Sequence, residues 1–230
     1  MSEKSKIRQA VRRLRVVYGE GDAYVTEVLS RSNGRTVACK SGCAHCCRLL
    51  PLVTMSEALA IAMRLTEDPT TNWAVTASKI DKQVDVIMNQ SPSGTAWFRM
   101  QIPCALLKDE ACSVYSDRPS ACRMLFAMDS ADNCAMAPDG QARQVARPDL
   151  RVVERMVGQN AMALCNTLGI TWAPAPMPIA LQWAFLALRE GPEALRRKLK
   201  GTPFADEATA IAYWSNMLRT PDDEPVSEPA

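Results

Sequence analysis

Apolar residues recur at helical spacing along most of the chain. In the basic segment 4–18, Ile7, Val11 and Leu14 fall on one stripe and the lysines and arginines on the rest, which predicts an amphipathic helix. Gly19 and Gly21 predict a turn that ends it. A second short helix is predicted from Ala23 to Arg31, with Gly34 just past its end. Thr54-Met55-Ser56-Glu57 has the pattern of a capping box ahead of an apolar run to Leu65. Trp73 to Met88 predicts another helix, and Ser91-Pro92-Ser93-Gly94 breaks the chain. Between 97 and 134 the periodicity fades. Short extended pieces are predicted at Phe98–Ile102 and Cys112–Tyr115, then a loop rich in Pro, Gly and Asp to Pro148. Helical spacing returns over 149–168, 178–190, 192–200 and 205–218. From Thr220 the chain is acidic and Pro-containing, a composition that predicts disorder.

The fold class expected is mainly α: an irregular cysteine-rich metal-binding module packed with several helices. The expected divisions are an N-terminal helical segment (1–35), the cysteine module (36–148), a C-terminal helical region (149–219) and an acidic tail (220–230). With 230 residues, 47% of them apolar, the chain can bury a real core. Charge changes the picture by being nearly balanced, 27 Lys+Arg against 25 Asp+Glu, so no global field points to nucleic acid or acidic lipid. No apolar run is long enough to span a bilayer, and Met1 to Val17 lacks the uninterrupted apolar centre of a secretion signal. A cytoplasmic, reducing location is expected.

The cysteines change it most. There are nine, an odd number that fits poorly with a disulfide framework. Cys39, Cys43, Cys46 and Cys47 lie at i, i+4, i+7 and i+8, so a helix or a tight loop would gather four soft ligands in a small volume. Cys104, Cys112, Cys122 and Cys134 are spaced more widely and need a fold to join them. Thiolates suit zinc or the iron of iron–sulfur clusters. Eight thiols suffice for two four-thiolate sites, or for one site with cysteines to spare. Cys165 differs: with Val157, Ala161 and Leu168 on neighbouring helical positions, it is expected in the core. His45, the sole histidine, is a candidate ligand or hydrogen-bond donor to a sulfur, and more simply a solvated loop residue. Arg118 and Arg123 could offset the charge of a thiolate-rich site. No catalytic acid, base or nucleophile is evident.

At these residues the chain resembles the YkgJ-like cysteine-cluster family, a zinc- or iron-chelating domain of the CxxxCxxCC type. Cys39, Cys43, Cys46 and Cys47 carry the first part of the resemblance. Pro103-Cys104-Ala105-Leu106-Leu107, Cys112-Ser113-Val114-Tyr115, Arg118-Pro119-Ser120-Ala121-Cys122-Arg123 and Cys134 carry the second. The resemblance covers roughly residues 36–135. It implies a metal centre held by these cysteines, either an iron–sulfur cluster of the [4Fe-4S] kind or zinc. It implies no single activity: the family's enzymatic relatives are flagellin lysine N-methylases, for which this chain is short and shows no methyl-donor site, and an iron–sulfur centre here would suit electron or methyl transfer. Cys39-x3-Cys43-x2-Cys46 reproduces in addition the three-cysteine spacing of radical S-adenosylmethionine enzymes. Against that, Cys47 follows at once and no strand–helix series is predicted to build a barrel.

The other reading is a non-catalytic zinc- or iron-binding protein with a structural, metal-handling or adaptor role. Trp172, Met177, Trp183, Phe185, Tyr213 and Trp214 in the C-terminal helices are of the types that favour a protein partner's interface, although helical spacing more often places such residues in a core.

Overall fold

The computed structural model describes residues 2–31, 37–39, 42–127, 129–134, 145–146, 151–170 and 173–218. The expected acidic tail 220–230 and Trp172 lie outside the described residues. The architecture is mainly α-helical. In chain order the helices are α1 (Glu3–Ser30), α2 (Met55–Glu67), α3 (Trp73–Gln90), α4 (Gly94–Met100), α5 (Ser120–Arg123), α6 (Arg151–Leu168), α7 (Met177–Glu190), α8 (Pro192–Leu199) and α9 (Glu207–Leu218). Among the described residues no helix is long and apolar enough to cross a membrane.

Helix α2 is the centre of the core. Its sequence is apolar on nearly every face, and every residue from Met55 to Met63 is buried. A helix apolar all round must be covered all round. Helices α1, α6 and α7 pack on it, and α3 and α8 pack in turn on α7. Thr54 caps it with the expected capping box: its hydroxyl accepts from the Glu57 N–H, and the Glu57 carboxylate accepts from the Thr54 N–H at 2.9 Å. One apolar cluster runs from Ile7 in α1 to Trp214 in α9. Near its C-terminal end Phe204 stacks on Trp214, ring centroids 4.7 Å apart, and touches Trp183 and Tyr213. Trp183 and Trp214 are therefore core residues, while Phe185 stands edge-on to Trp73.

Two local expectations are corrected. The predicted break at Gly19–Gly21 does not exist: α1 runs unbroken from Glu3 to Ser30. Its buried stripe is Ile7, Val11, Leu14, Tyr18, Gly21 and Val25, a sustained alternation of four- and three-residue steps. Gly21 belongs to that stripe because α1 passes close to α6 there; a β-carbon at position 21 would stand 2.9 Å from Val153 Cγ1. The predicted extended piece Phe98–Ile102 is also absent, since residues 94–100 form α4. Ser93 caps it by accepting the Ala96 N–H at 3.1 Å, and Trp97 and Phe98 are both buried. The alternation at 98–102 is that of a helix ending in a left-handed cap at Gln101.

The strands are two-residue ladders, all antiparallel. β1 (Leu52–Val53) pairs with β6 (Ala175–Pro176), tying the start of α2 to the start of α7. β2 (Leu107–Lys108) and β3 (Ala111–Cys112) form a tight hairpin whose turn residues, Asp109 and Glu110, both have positive φ. The expected extended piece at Cys112–Tyr115 is thus only two residues of strand, Ala111–Cys112, before the chain turns. β4 (Leu125–Phe126) pairs with β5 (Val145–Ala146).

A polar network fastens the loop 115–123 to the helices. Arg15, Tyr18 and Asp22 lie on one face of α1. Arg15 pairs with the buried Asp117 through two contacts at 2.8 and 3.1 Å. The buried Arg123 donates to Asp22 at 2.5 Å, to the Arg118 carbonyl at 2.8 Å and to the Ser116 carbonyl, with its guanidinium 4.1 Å from the centre of the Tyr18 ring. Glu57, 1% exposed, accepts from the Tyr18 hydroxyl at 3.3 Å and the Ser120 N–H at 2.6 Å. Burial, then the Glu57 charge, hold the Tyr18 hydroxyl well above its ordinary pKa, so it stays a donor.

Two sets of substitutions test this fold. Gly19 has open space around it, so Gly19→Ala should stabilise the chain by about 0.5–1 kcal/mol through helix propensity. Gly21→Ala should destabilise it, because the clash with Val153 outweighs the same gain. Equal stabilisation by both in chemical denaturation would mean that α1 and α6 do not approach as described. Glu57→Ala should cost about 3 kcal/mol, since it strands the Ser120 and Tyr18 donors in the interior. Arg189→Ala, which removes only an exposed ion pair with Glu190, should cost less than about 0.5 kcal/mol.

Candidate metal centre

The first cysteine block is neither a helix nor a random loop. Gly42 turns the chain with φ of 86°, and His45–Arg48 then forms a single 3₁₀ turn. Cys46 and Cys47 are neighbours in that turn, and their thiols approach each other within hydrogen-bond reach. Cys39 arrives beside β4: Ala38 N–H donates to the Ala127 carbonyl at 2.8 Å, and Ala127 N–H donates to Cys39 Sγ at 3.2 Å.

The second block is brought to the first by backbone contacts. Cys104 N–H donates to the Cys47 carbonyl at 2.7 Å. The β2–β3 hairpin places Cys112 opposite Leu107 and so close to Cys104. Leu106 N–H approaches Cys104 Sγ at 3.4 Å. Arg118-Pro119 ends the following 3₁₀ turn, because proline fixes its own φ and holds the residue before it extended. Pro119 precedes α5, whose first residue is held by Glu57 and whose third is Cys122.

Seven cysteines, Cys39, Cys43, Cys46, Cys47, Cys104, Cys112 and Cys122, line one cavity of about 70 Å³. Leu49, Pro51, Leu106, Val114, Leu125 and Met177 supply its apolar wall, and Arg118 is the one charged side chain lining it among the described residues. Cys134, the remaining expected ligand, ends the 3₁₀ turn Ala131–Cys134, which packs on the His45–Arg48 turn; its side chain lies outside the described residues. Cys165 is fully buried in the core and does not line the cavity. His45 is exposed and does not line it either. Among the described residues no three Cys, His, Asp or Glu side chains are drawn together as a ready-made single-ion site. The thiols stand around the cavity wall instead.

Electrostatics divides these thiols. Burial pushes Cys39, Cys104, Cys112 and Cys122 up, Cys104 to about 12. Cys46 and Cys47 hydrogen-bond to each other; that bond holds Cys46 down to about 7 and pushes Cys47 up, so the pair releases its first proton readily and its second with difficulty. The Arg118 charge favours the thiolate at Cys39, Cys46, Cys112 and Cys122. Such a group of half-buried thiols is costly to ionise without cations. A thiophilic ion or cluster supplies them, and the donor set, all sulfur with backbone N–H groups at Cys39 and Cys104, fits that role.

The paired arginines of the sequence separate here. Arg123 is spent on Asp22 and two carbonyls and does not line the cavity, although its charge is felt at Cys112, while Arg118 lines it. Glu57 was legible only as a helix cap; its reach to Ser120 was hidden, because a cap motif says nothing of the second carboxylate oxygen. The regular placement of Arg15, Tyr18 and Asp22 on one face of α1 was the available signal for the rest of the network.

No curated protein and no solved structure matches the chain. A family model does, over a span that contains all eight clustered cysteines. Residues 38–142 of the chain match the model of the CxxCxxCC family, whose description reads "putative zinc- or iron-chelating domain".

Proposed function

We propose that the cysteine module is a thiolate metal centre of the iron–sulfur kind, with Cys39, Cys43, Cys46, Cys47, Cys104, Cys112 and Cys122 as its pool of ligands and Cys134 beside them. The observation that carries this reading is that seven cysteines from separated stretches of chain line a single cavity. Four thiolates suffice for one zinc ion, and a zinc site draws them to one point. Adjacent thiolates such as Cys46 and Cys47 would reach different irons of one cluster more readily than a single tetrahedral zinc, which favours a polynuclear centre. A [4Fe-4S] cluster bound there would supply one-electron transfer. The chain's own part is to hold the thiols, to donate backbone N–H groups to sulfur at Cys39 and Cys104, and to keep an apolar wall on the core side. Cys43 and Gly42 stand on the outer side, Gly42 exposed, where a redox partner could approach.

Zinc is the second reading. It is favoured by the family's description and by the surplus of thiols, which would serve two four-thiolate ions if Cys134 takes part. The centre would then staple the loops 37–48 and 104–134 to the helical core, as a structural or metal-handling module.

Two experiments follow. Anaerobic purification with visible absorption and elemental analysis should give a brown protein with iron and acid-labile sulfide, bleached by air. A colourless protein with stoichiometric zinc would select the second reading, and neither metal would sink both. Cys46→Ser and Cys112→Ser should each lose metal and lower the melting temperature, because binding energy at such a site is also folding energy. Cys165→Ala should leave the metal content unchanged. Its loss there, or full loading of the two serine variants, would mean that the ligand pool is misassigned.

A further inference from the structure

Arg118 differs from the other arginines of the loop region in what it has left to give. Its side chain lines the cysteine cavity. Its guanidinium carbon stands 4.3 Å from the centre of the Tyr115 ring, which fixes the plane of the fork. Its backbone is held by Arg123, which donates to the Arg118 carbonyl, and by Pro119, which restricts its ψ. Yet its Nε is buried and has no hydrogen-bond partner among the described residues. A buried guanidinium donor without an acceptor is costly. An acceptor is therefore to be sought in what the cavity receives. Arg123 offers no such opening, since its Nε and both terminal nitrogens already donate.

We infer that Arg118 is the counter-charge of the metal centre: a positioning residue whose Nε–H donates to a ligating thiolate once the cavity is loaded. This rests on the metal-centre reading and adds a residue to it. Four thiolates on one divalent ion, or on a cluster of comparable charge, leave net negative charge in a partly buried space. A guanidinium packed beside them offsets it, and its hydrogen bond withdraws electron density from one sulfur. No bond is made or broken in this role, and no proton moves.

The test uses the full chain, stripped of metal and kept anaerobic, with Co²⁺ as the probe and Zn²⁺ as competitor. Co²⁺ bound by thiolates reports affinity, stoichiometry and the energy of the sulfur-to-metal charge-transfer band in one titration. Arg118→Gln should bind the same number of ions about 10–100-fold more weakly, the range typical for loss of a partner to a metal ligand. Its charge-transfer band should move to lower energy, because a sulfur that loses a hydrogen bond gives up its electrons more easily. Arg118→Lys restores the charge without the Nε donor; it should recover part of the affinity and leave the band displaced. Arg123→Lys serves as the control for mere loosening of the loop: it should lower the melting temperature without moving the band. An Arg118→Gln variant with wild-type affinity and an unmoved band would overturn the inference while leaving the metal centre intact. A wild-type chain that takes up no Co²⁺, Zn²⁺ or iron would overturn the metal centre, and this inference with it. Should Arg118→Gln fail to fold, Arg118→Lys decides through the band alone.

Discussion

The structure depends on one buried carboxylate. Glu57 sits on the central helix with both oxygens out of water, and an isolated carboxylate there would be prohibitive. It is tolerated because its partners come from three directions: the Thr54 cap of its own helix, the Tyr18 hydroxyl of α1, and the Ser120 N–H at the start of the short helix that bears Cys122. Each partner fixes a different piece of chain. The cap sets where α2 begins, Tyr18 sets how α1 lies on it, and Ser120 sets where the second cysteine block is held. The requirement to satisfy one charge therefore converts a helix start into a mounting point for the metal loops.

The loops need such a mount because they have little of their own. Among the described residues, 101–134 contain a hairpin of two-residue strands, the 3₁₀ turns Tyr115–Asp117 and Ala131–Cys134, a four-residue helix and the two-residue strand Leu125–Phe126. Their buried apolar residues, such as Leu106, Val114 and Phe126, add to the helical core rather than forming a separate one. The second arginine, Arg123, works on the same principle as Glu57 with the opposite charge: it collects two loop carbonyls and an α1 carboxylate, and stacks on Tyr18. The Arg118–Cys122 segment is thus held at Arg118 and at Ser120 by the buried Arg123 and Glu57. Binding energy at the cysteines then adds to a loop already placed, rather than having to order it from nothing.

What the sequence made legible follows from the range of each interaction. The capping box at Thr54 and the helices at α2, α3, α7 and α8 are local events, set by a few residues and by spacing, and they lie close to where the pattern put them. Gly19 and Gly21 were misleading because glycine has two uses: to turn a chain or to let two helices meet. Only Val153, more than a hundred residues away, distinguishes them at Gly21. Phe98–Ile102 failed for a related reason, since two adjacent buried residues at Trp97 and Phe98 do not alternate by face, and the deciding cap, Ser93, stood in a stretch read as a breaker. Of the seven cysteines that the cavity gathers, four were named from spacing and Cys104, Cys112 and Cys122 with the help of a family resemblance, but the cavity itself was not foreseeable. Nothing local states that a Cys104 N–H will meet a Cys47 carbonyl.

The division between the two arginines carries the argument furthest. Arg118 and Arg123 stand five residues apart in one segment and look equivalent in the sequence. In the fold, Arg123 has every guanidinium nitrogen bonded, and its charge is met by Asp22. Arg118 retains an unmet donor beside half-buried thiols. A fold seldom keeps an unsatisfied guanidinium and a group of thiols raised by burial in one place without a use for the pair, because each alone is a cost. On the reading proposed above, loading the cavity would remove both costs together: metal would make thiolates of the thiols, and the thiolates would give Arg118 its acceptor. This holds for zinc and for an iron–sulfur cluster alike, since either leaves the thiolate shell negative. The identity of the ion sets the chemistry, while the arginine answers to the sulfur.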